Sequence, residues 1–220
     1  MALDWRKFGK LVQRVIKFRA GVSKTPIKAD SWEELIWAVM VTIYGQDQVK
    51  WDPQSHRKGV DLTAKINGET IRISAKATEI KRGHLSLSSY RLTRYGQLQE
   101  MLDFIREQHT KQIDVYLVCA RQEVDKGVRY VVFKIKPNNL APEPLLMGSN
   151  WTKTKDGFVL RDDIVKKVGF SCRIVSKMSN QLWYDIPVHA LFLQQVVDIV
   201  IPEADLGQGL LHCLKELVHT

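Results

Sequence analysis

Residues 59–76 read GVDLTAKINGETIRISAK. Asn67-Gly68 at the centre is the strongest short hairpin signal, because both middle positions of a type I′ turn need a positive φ. Placing those two residues in the turn sets the register. Ile66 then opposes Glu69, Ala64 opposes Ile71, Leu62 opposes Ile73 and Asp61 opposes Ser74. Side chains alternate between the two faces of a strand. One face therefore carries Leu62, Ala64, Ile66, Ile71, Ile73 and Ala75, which is a core face. The other is polar and includes Asp61, Arg72, Ser74 and Lys76. Asp61 and Lys76 are diagonal neighbours across the ribbon, about 7–8 Å apart. A carboxylate and an ammonium at that spacing flank a gap the size of a metal ion or a water. The same pattern also describes a solvated face with a cross-strand ion pair.

The chain has 220 residues, 45% of them apolar, which supports a sizeable core and excludes a disordered polar polymer. No apolar run approaches the roughly 20 residues that span a bilayer, so no membrane association is expected. The start, MALDWRKFGK, has no apolar h-region, and no secretory signal is expected. Cys119, Cys172 and Cys213 lie far apart without CxxC or Cys/His zinc spacing, which suits reduced thiols and a cytoplasmic protein. The six histidines show no metal-ligand spacing, and no GxSxG, Walker A or GxGxxG stretch occurs, so no organic cofactor is expected. Net charge is +9 and unevenly spread. Arg6, Lys7, Lys10, Arg14, Lys17 and Arg19 crowd the N-terminal stretch, against Asp4 alone. Lys76, Lys81, Arg82, Arg91 and Arg94 form a second group. Such clusters suit a polyanion such as DNA, whose phosphates dominate non-specific affinity. They equally describe a basic, soluble protein with no such partner.

Residues 4–19 place Trp5, Phe8, Val12, Val15 and Ile16 near one helical face and the basic residues on the other. Asp30 or Ser31 is expected to cap the next helix, SWEELIWAVMVTIYG, with Gly45 as its stop. Residues 46–58 read as loop, and TEIKRGHLSLS (78–88) as a polar segment. A helix is expected over about 90–108, then strands at 113–120 and 129–135. TKTKDGFVL suggests a hairpin turning at Asp156-Gly157. The last 35 residues suggest a strand followed by a terminal helix in LGQGLLHCLKELV. Helices are therefore set to cover a mixed sheet.

The order is a helix with an early glutamate, Asp61 on one strand, Ser74-Ala75-Lys76 on its hairpin partner, then helix and strand. It resembles the core of the PD-(D/E)xK nucleases, and within them the Type II restriction endonucleases that carry Ser at the second acidic position. Residues 31–135 carry the resemblance. It implies an α/β fold, a mixed central β-sheet flanked by α-helices, within a single nuclease domain. Residues 1–30 would form a basic N-terminal helix or arm, 31–135 the catalytic core and 136–185 a DNA-recognition insertion on the C-terminal side.

The resemblance also implies a reaction: Mg²⁺-dependent, sequence-specific hydrolysis of double-stranded DNA to 5′-phosphate and 3′-hydroxyl ends, by a homodimer on a palindromic site. Cutting a phosphodiester needs a nucleophilic water, an aligned phosphate and neutralisation of developing charge. Mg²⁺ can serve all three, and it prefers oxygen ligands. Asp61 and the backbone carbonyl of Ala75 would be ligands, and Lys76 would orient the attacking water. Val60 stands where the pattern has Pro, and Ser74 where it has a second acid. A Glu from the following helix, Glu100, would fill that space, with Glu79 as the alternative. Glu34 would reach the metal through water, with Glu33 as the alternative; both equally suit a helix first turn as dipole acids. Lys58, Lys81, Arg82, Arg91 and Arg94 would contact DNA, with Arg91 and Arg94 as candidate guanine readers. SNWTKTKDG and KMSNQLWYD carry amides and aromatics suited to base edges. A structure-specific nuclease of the same fold, and a DNA-binding module that has lost its second acid, fit the same residues.

Overall fold

The structure, a computed structural model, describes residues 3–51 and 59–209; Lys58 and residues 210–220 of the expected terminal helix lie outside the described residues. Helix α1 (Trp5–Val22) starts where the Asp4 carboxylate accepts from the Lys7 amide at 2.9 Å. Phe8, Val12, Ile16 and Ala20 recur at helical spacing and are all buried, whereas Lys7, Lys10, Arg14 and Lys17 are exposed. Helix α2 (Ala29–Tyr44) begins earlier than either expected cap. Lys28 is its N-cap with no side-chain bond, and Asp30 lies in the first turn, where it complements the helix dipole instead. Gly45, at φ 93°, ends α2 as the sequence suggests. Within the stretch expected to be loop, strand β1 (Val49–Trp51) forms, because β2 (Leu62–Ile66) offers it an antiparallel partner.

The hairpin of β2 and β3 (Glu69–Lys81) has the register read from the sequence, with Leu62 opposite Ile73 and Ile66 opposite Glu69. Asn67 and Gly68 have φ of 52° and 84°, as the tight turn requires. The 78–88 stretch is not a polar connector. Strand β3 runs on to Lys81, turns at Arg82-Gly83 (φ 51° and 76°) and returns as β4 (His84–Arg91). Here Ile80, Leu85 and Leu87 supply the alternation of a half-buried strand. Helix α3 is shorter than expected, Leu98–Glu107, because residues 92–97 are turns and Gln97 with Glu100 forms a capping box at its start. A π-helical turn, Gln108–Gln112, follows it. Strands β5 (Val115–Val124) and β6 (Gly127–Ile135) run close to their expected places.

The remaining described chain adds β7 (Trp151–Thr154), β8 (Gly157–Leu160), α4 (Asp162–Val168), β9 (Ser171–Val175), β10 (Gln181–Pro187) and β11 (Gln194–Pro202). The β7–β8 turn is Lys155-Asp156, one residue earlier than expected, since Thr154 opposes Gly157. Gly157 serves a different need: a Cβ there would lie 1.9 Å from the Ile174 carbonyl oxygen on β9. The described strands form one mixed sheet in the order β11-β6-β5-β3-β4-β10-β9-β8-β7, with β2 and then β1 branching from β3. Pairing is antiparallel except between β3 and β5. Apolar residues of α1 and α2 pack on one face of β2, β3, β5 and β6. The opposite face meets α3 and the strands β4 and β8–β10, forming a second core. Strand β5 serves both, with Leu117 and Cys119 in the first core and Tyr116 and Val118 in the second. Among the described residues no helix is long and apolar enough to cross a membrane.

Candidate active site

Strands β3 and β4 pair only beside their turn, at Ile80–Leu85 and Lys81–His84. At the point where they part, the Thr78 hydroxyl donates to the Ser86 carbonyl at 2.8 Å. Beyond it β4 turns to β10, while β3 stays with β2 and β5. The two strands thus form a V, and a cleft of about 1480 Å³ opens between its arms. The polar face of the first hairpin forms one wall. Ser86, Ser88, Tyr90 and Arg91 of β4 form the other, extended by Gln181 and Trp183 of β10.

Asp61, Ser74 and Lys76 come together on the first wall. The Asp61 amide donates at 2.9 Å to the carbonyl of Ile73, the residue opposite Leu62, so the pairing slips by one position at Asp61 instead of continuing opposite Ser74. Its carboxylate is buried, and Oδ2 accepts from the Ala75 amide at 2.6 Å and from the Ser74 hydroxyl at 3.2 Å. Lys76 Nζ lies 3.7 Å from the same oxygen, with its side chain 25% exposed. A buried carboxylate keeps its charge at low cost when several donors, one of them cationic, converge on it. In a strand the N–H and C=O of one residue share a direction, so the Ala75 carbonyl also faces the side on which its amide reaches Asp61.

The acids separate clearly. Glu33 is 6% exposed, lines the cleft, and accepts from Trp51 Nε1 at 3.4 Å. Glu34, the next residue on α2, is exposed and does not line the cleft. Helical phase decides this: Glu33 shares the inward face with Ile36 and Met40, and Glu34 is turned away by the rotation between successive residues. Glu100 spends its Oε2 on the amides of Gly96 and Gln97, each at 3.2 Å, and closes the start of α3. The residues that this helix and its π-helical turn bring to the cleft are Phe104, Gln108 and Gln112. Glu79 pairs with Lys81 at 2.7 Å; a hydrogen bond from that lysine holds its carboxyl below the usual range. Neither lines the cleft.

Among the basic candidates, Arg91 ends β4, Arg94 lies in the following turn, and both line the cleft. Arg82 sits at the apex turn outside it. The cleft also contains Lys50 and Arg72, which the sequence did not single out. Arg72 is tied to Asp114 at 3.0 and 3.1 Å and donates to the Lys111 carbonyl. The only sequence signal for Arg72 was its place on the polar face of the hairpin. Gln181 and Trp183 belong to the KMSNQLWYD stretch, whereas SNWTKTKDG contributes nothing to the cleft lining among the described residues.

Behind the second wall lies a polar aromatic cluster. Tyr90 and Tyr116 share a hydrogen bond at 2.9 Å. Burial, and to a lesser degree the charge of Asp61, push the Tyr90 phenol above the ordinary tyrosine range. His109 Nδ1 donates to the Pro137 carbonyl at 3.1 Å, and its Nε2 accepts from the Tyr184 hydroxyl at 3.3 Å. Burial pushes the His109 imidazole down from 6.5 to about 4. Between those values the unfolded chain binds a proton that the folded chain refuses. Stability therefore rises with pH across that window and is lost as pH falls through it. The expected loss on going from pH 7 to pH 4 is roughly 3 kcal/mol from this group. Urea denaturation at steps of pH measures it, and His109→Gln should flatten that part of the curve.

No known protein-family model matches the sequence, and no curated protein matches it. Among solved structures, the chain is similar to a "Restriction endonuclease in complex with substrate DNA". The two are 11% identical, the match covers 84% of this chain and 83% of that one, and the TM-score is 0.34.

Proposed function

We propose that the protein is a Mg²⁺-dependent, sequence-specific endonuclease that cuts double-stranded DNA, in the manner of a Type II restriction enzyme. The observation that carries this reading is the convergence of Asp61, Ser74 and Lys76 on one wall of a wide cleft whose rim holds Arg91 and Arg94.

The donor set suits a hard divalent cation. Asp61, the Ala75 carbonyl and Glu33 offer oxygen atoms to the same cleft, and Mg²⁺ typically takes one or two carboxylates and keeps several waters. These residues would hold it, with Glu33 in the part the sequence assigned to Glu34. Glu100 is committed to its helix start. When bound, the ion neutralises charge on the scissile phosphate and acidifies a coordinated water. Lys76 holds the attacking water by a hydrogen bond and offsets the charge gathering on the phosphate. Asp61 in turn keeps the Lys76 ammonium in place, and Ser74 fixes the carboxylate. The water oxygen bonds to phosphorus, the bond to the 3′ oxygen breaks, and that oxygen takes up a proton. The products are a 5′-phosphate and a 3′-hydroxyl. Cutting both strands of a palindromic site calls for a two-fold homodimer, one site per strand.

One observation favours a second reading. Ser74 occupies the second acidic position, and among the described residues no three His, Cys, Asp or Glu side chains converge to hold a metal. A DNA-binding module without cutting activity would have such a site. Incubation of supercoiled plasmid with Mg²⁺, followed by mapping of the ends, separates the readings. Discrete fragments support the endonuclease, and a smear points to non-specific cutting. Tight binding without cutting in Mg²⁺ or Mn²⁺ favours the module. Cleavage of four-way junctions but of no linear duplex would indicate a structure-specific nuclease.

A further inference from the structure

From the wall facing Asp61 and Lys76, Tyr90 of β4 reaches across to the hydroxyl of Tyr116, which lies on β5 opposite Ser74. Tyr116 is 2% exposed, and its phenol oxygen lies 2.9 Å from that of Tyr90. This hydrogen bond can run either way; with Tyr116 as donor its buried O–H is satisfied, and the hydroxyl that keeps a proton to give is the one that lines the cleft. That leaves the Tyr90 proton for a further acceptor, and Tyr90 lines the cleft that holds Asp61.

The Tyr90 ring is fixed on several sides. Phe104 meets it edge-on at 5.5 Å and His109 at 5.8 Å. Its third contact joins the two walls. A Cβ at Gly59 would lie 2.8 Å from Tyr90 Cε1, so the ring edge packs directly on the backbone two residues before Asp61. Gly59 has φ of +69°, a conformation that glycine adopts without strain. The phenol and the carboxylate are thus held in one rigid arrangement from opposite sides of the cleft.

We propose that Tyr90 is a further substrate-contacting residue, whose hydroxyl, oriented through Tyr116, donates a hydrogen bond to a non-bridging oxygen of the DNA phosphate held beside Asp61. A neutral donor preset at the position of developing negative charge stabilises the transition state without adding a fixed charge. The inference rests on the endonuclease reading and adds a residue to its site.

Tyr90→Phe is the decisive variant, because it keeps the ring on Gly59 and removes only the donor. Single-turnover cleavage of a linear duplex in Mg²⁺ should slow by about a hundredfold, the scale of losing one such donor. Duplex affinity in Ca²⁺ should change less than about threefold and the melting temperature hardly at all, since the packing is intact. Tyr116→Phe should slow cleavage in the same direction but less, because Tyr90 keeps its proton and loses only its orientation. A role limited to packing predicts wild-type rates for Tyr90→Phe, and that result overturns the inference while leaving the nuclease in place. A wild-type protein that binds duplex but cuts nothing overturns the nuclease reading and this inference with it.

Discussion

Asp61→Ala protein is expected to leave supercoiled plasmid uncut in Mg²⁺ over times in which the unaltered protein linearises it, a loss of at least roughly 10²–10³-fold. Removing the carboxylate takes away the proposed metal's anchoring ligand and the partner of the Lys76 ammonium. It also strands the Ala75 amide and the Ser74 hydroxyl, which now donate to Asp61 Oδ2. Asp61→Asn separates these effects, because the amide oxygen can still accept while the charge is gone. Lys76→Ala should lose cleavage on a similar scale and keep duplex affinity in Ca²⁺ within a few-fold, since one cation is a small part of a phosphate-dominated interface. Full cutting activity in either alanine variant would sink the proposed chemistry.

Trp32→Ala carries the largest expected stability effect. Trp32 is fully buried between α2 and the sheet, and its Nε1 donates to the Leu117 carbonyl on β5 at 2.9 Å. Truncation leaves a cavity and removes the indole's hydrogen bond to the strand, and substitutions of this kind cost about 3–5 kcal/mol. For a chain of this size the melting temperature should fall on the order of 10 °C. Trp32→Phe should cost less, because most of the volume is kept. The effect reaches the site: Glu33 is the next residue, and its place in the cleft depends on how α2 sits on the sheet. A melting temperature within about 2 °C of wild type for Trp32→Ala would show that this anchor contributes little.

The first hairpin was legible because local chemistry determines it. Asn67-Gly68 sets the turn, the turn sets the register, and the alternation of Leu62, Ala64 and Ile66 against Ile71 and Ile73 selects the buried face. The placement of Ser74 and Lys76 on one wall followed from that register; Asp61 reaches the same wall just beyond it, where its amide bonds to the Ile73 carbonyl in place of the expected position opposite Ser74. Glu33 against Glu34 was not legible, since a first-turn acid can face either way until the helix is packed. The part that Glu100 plays in capping was visible as Gln-x-x-Glu before an apolar run, yet a carboxylate at that distance from the hairpin also suited a site residue. The second hairpin, turning at Arg82-Gly83, was masked because Arg is an unusual residue for a positive φ. The pairing of β10 with β4 and of β11 with β6 joins residues about a hundred and about seventy positions apart, and no local signal encodes contacts of that separation.

Thr78 and the Arg82-Gly83 turn also govern how the cleft meets anything that enters it. Its two jaws are neighbouring runs of one hydrogen-bonded sheet, joined at a two-residue corner rather than across a domain boundary. The aperture is therefore set when the chain folds. A duplex seated there would have to supply most of the adjustment itself, so readily deformed base steps would be accepted more easily than stiff ones, even at positions that no side chain touches.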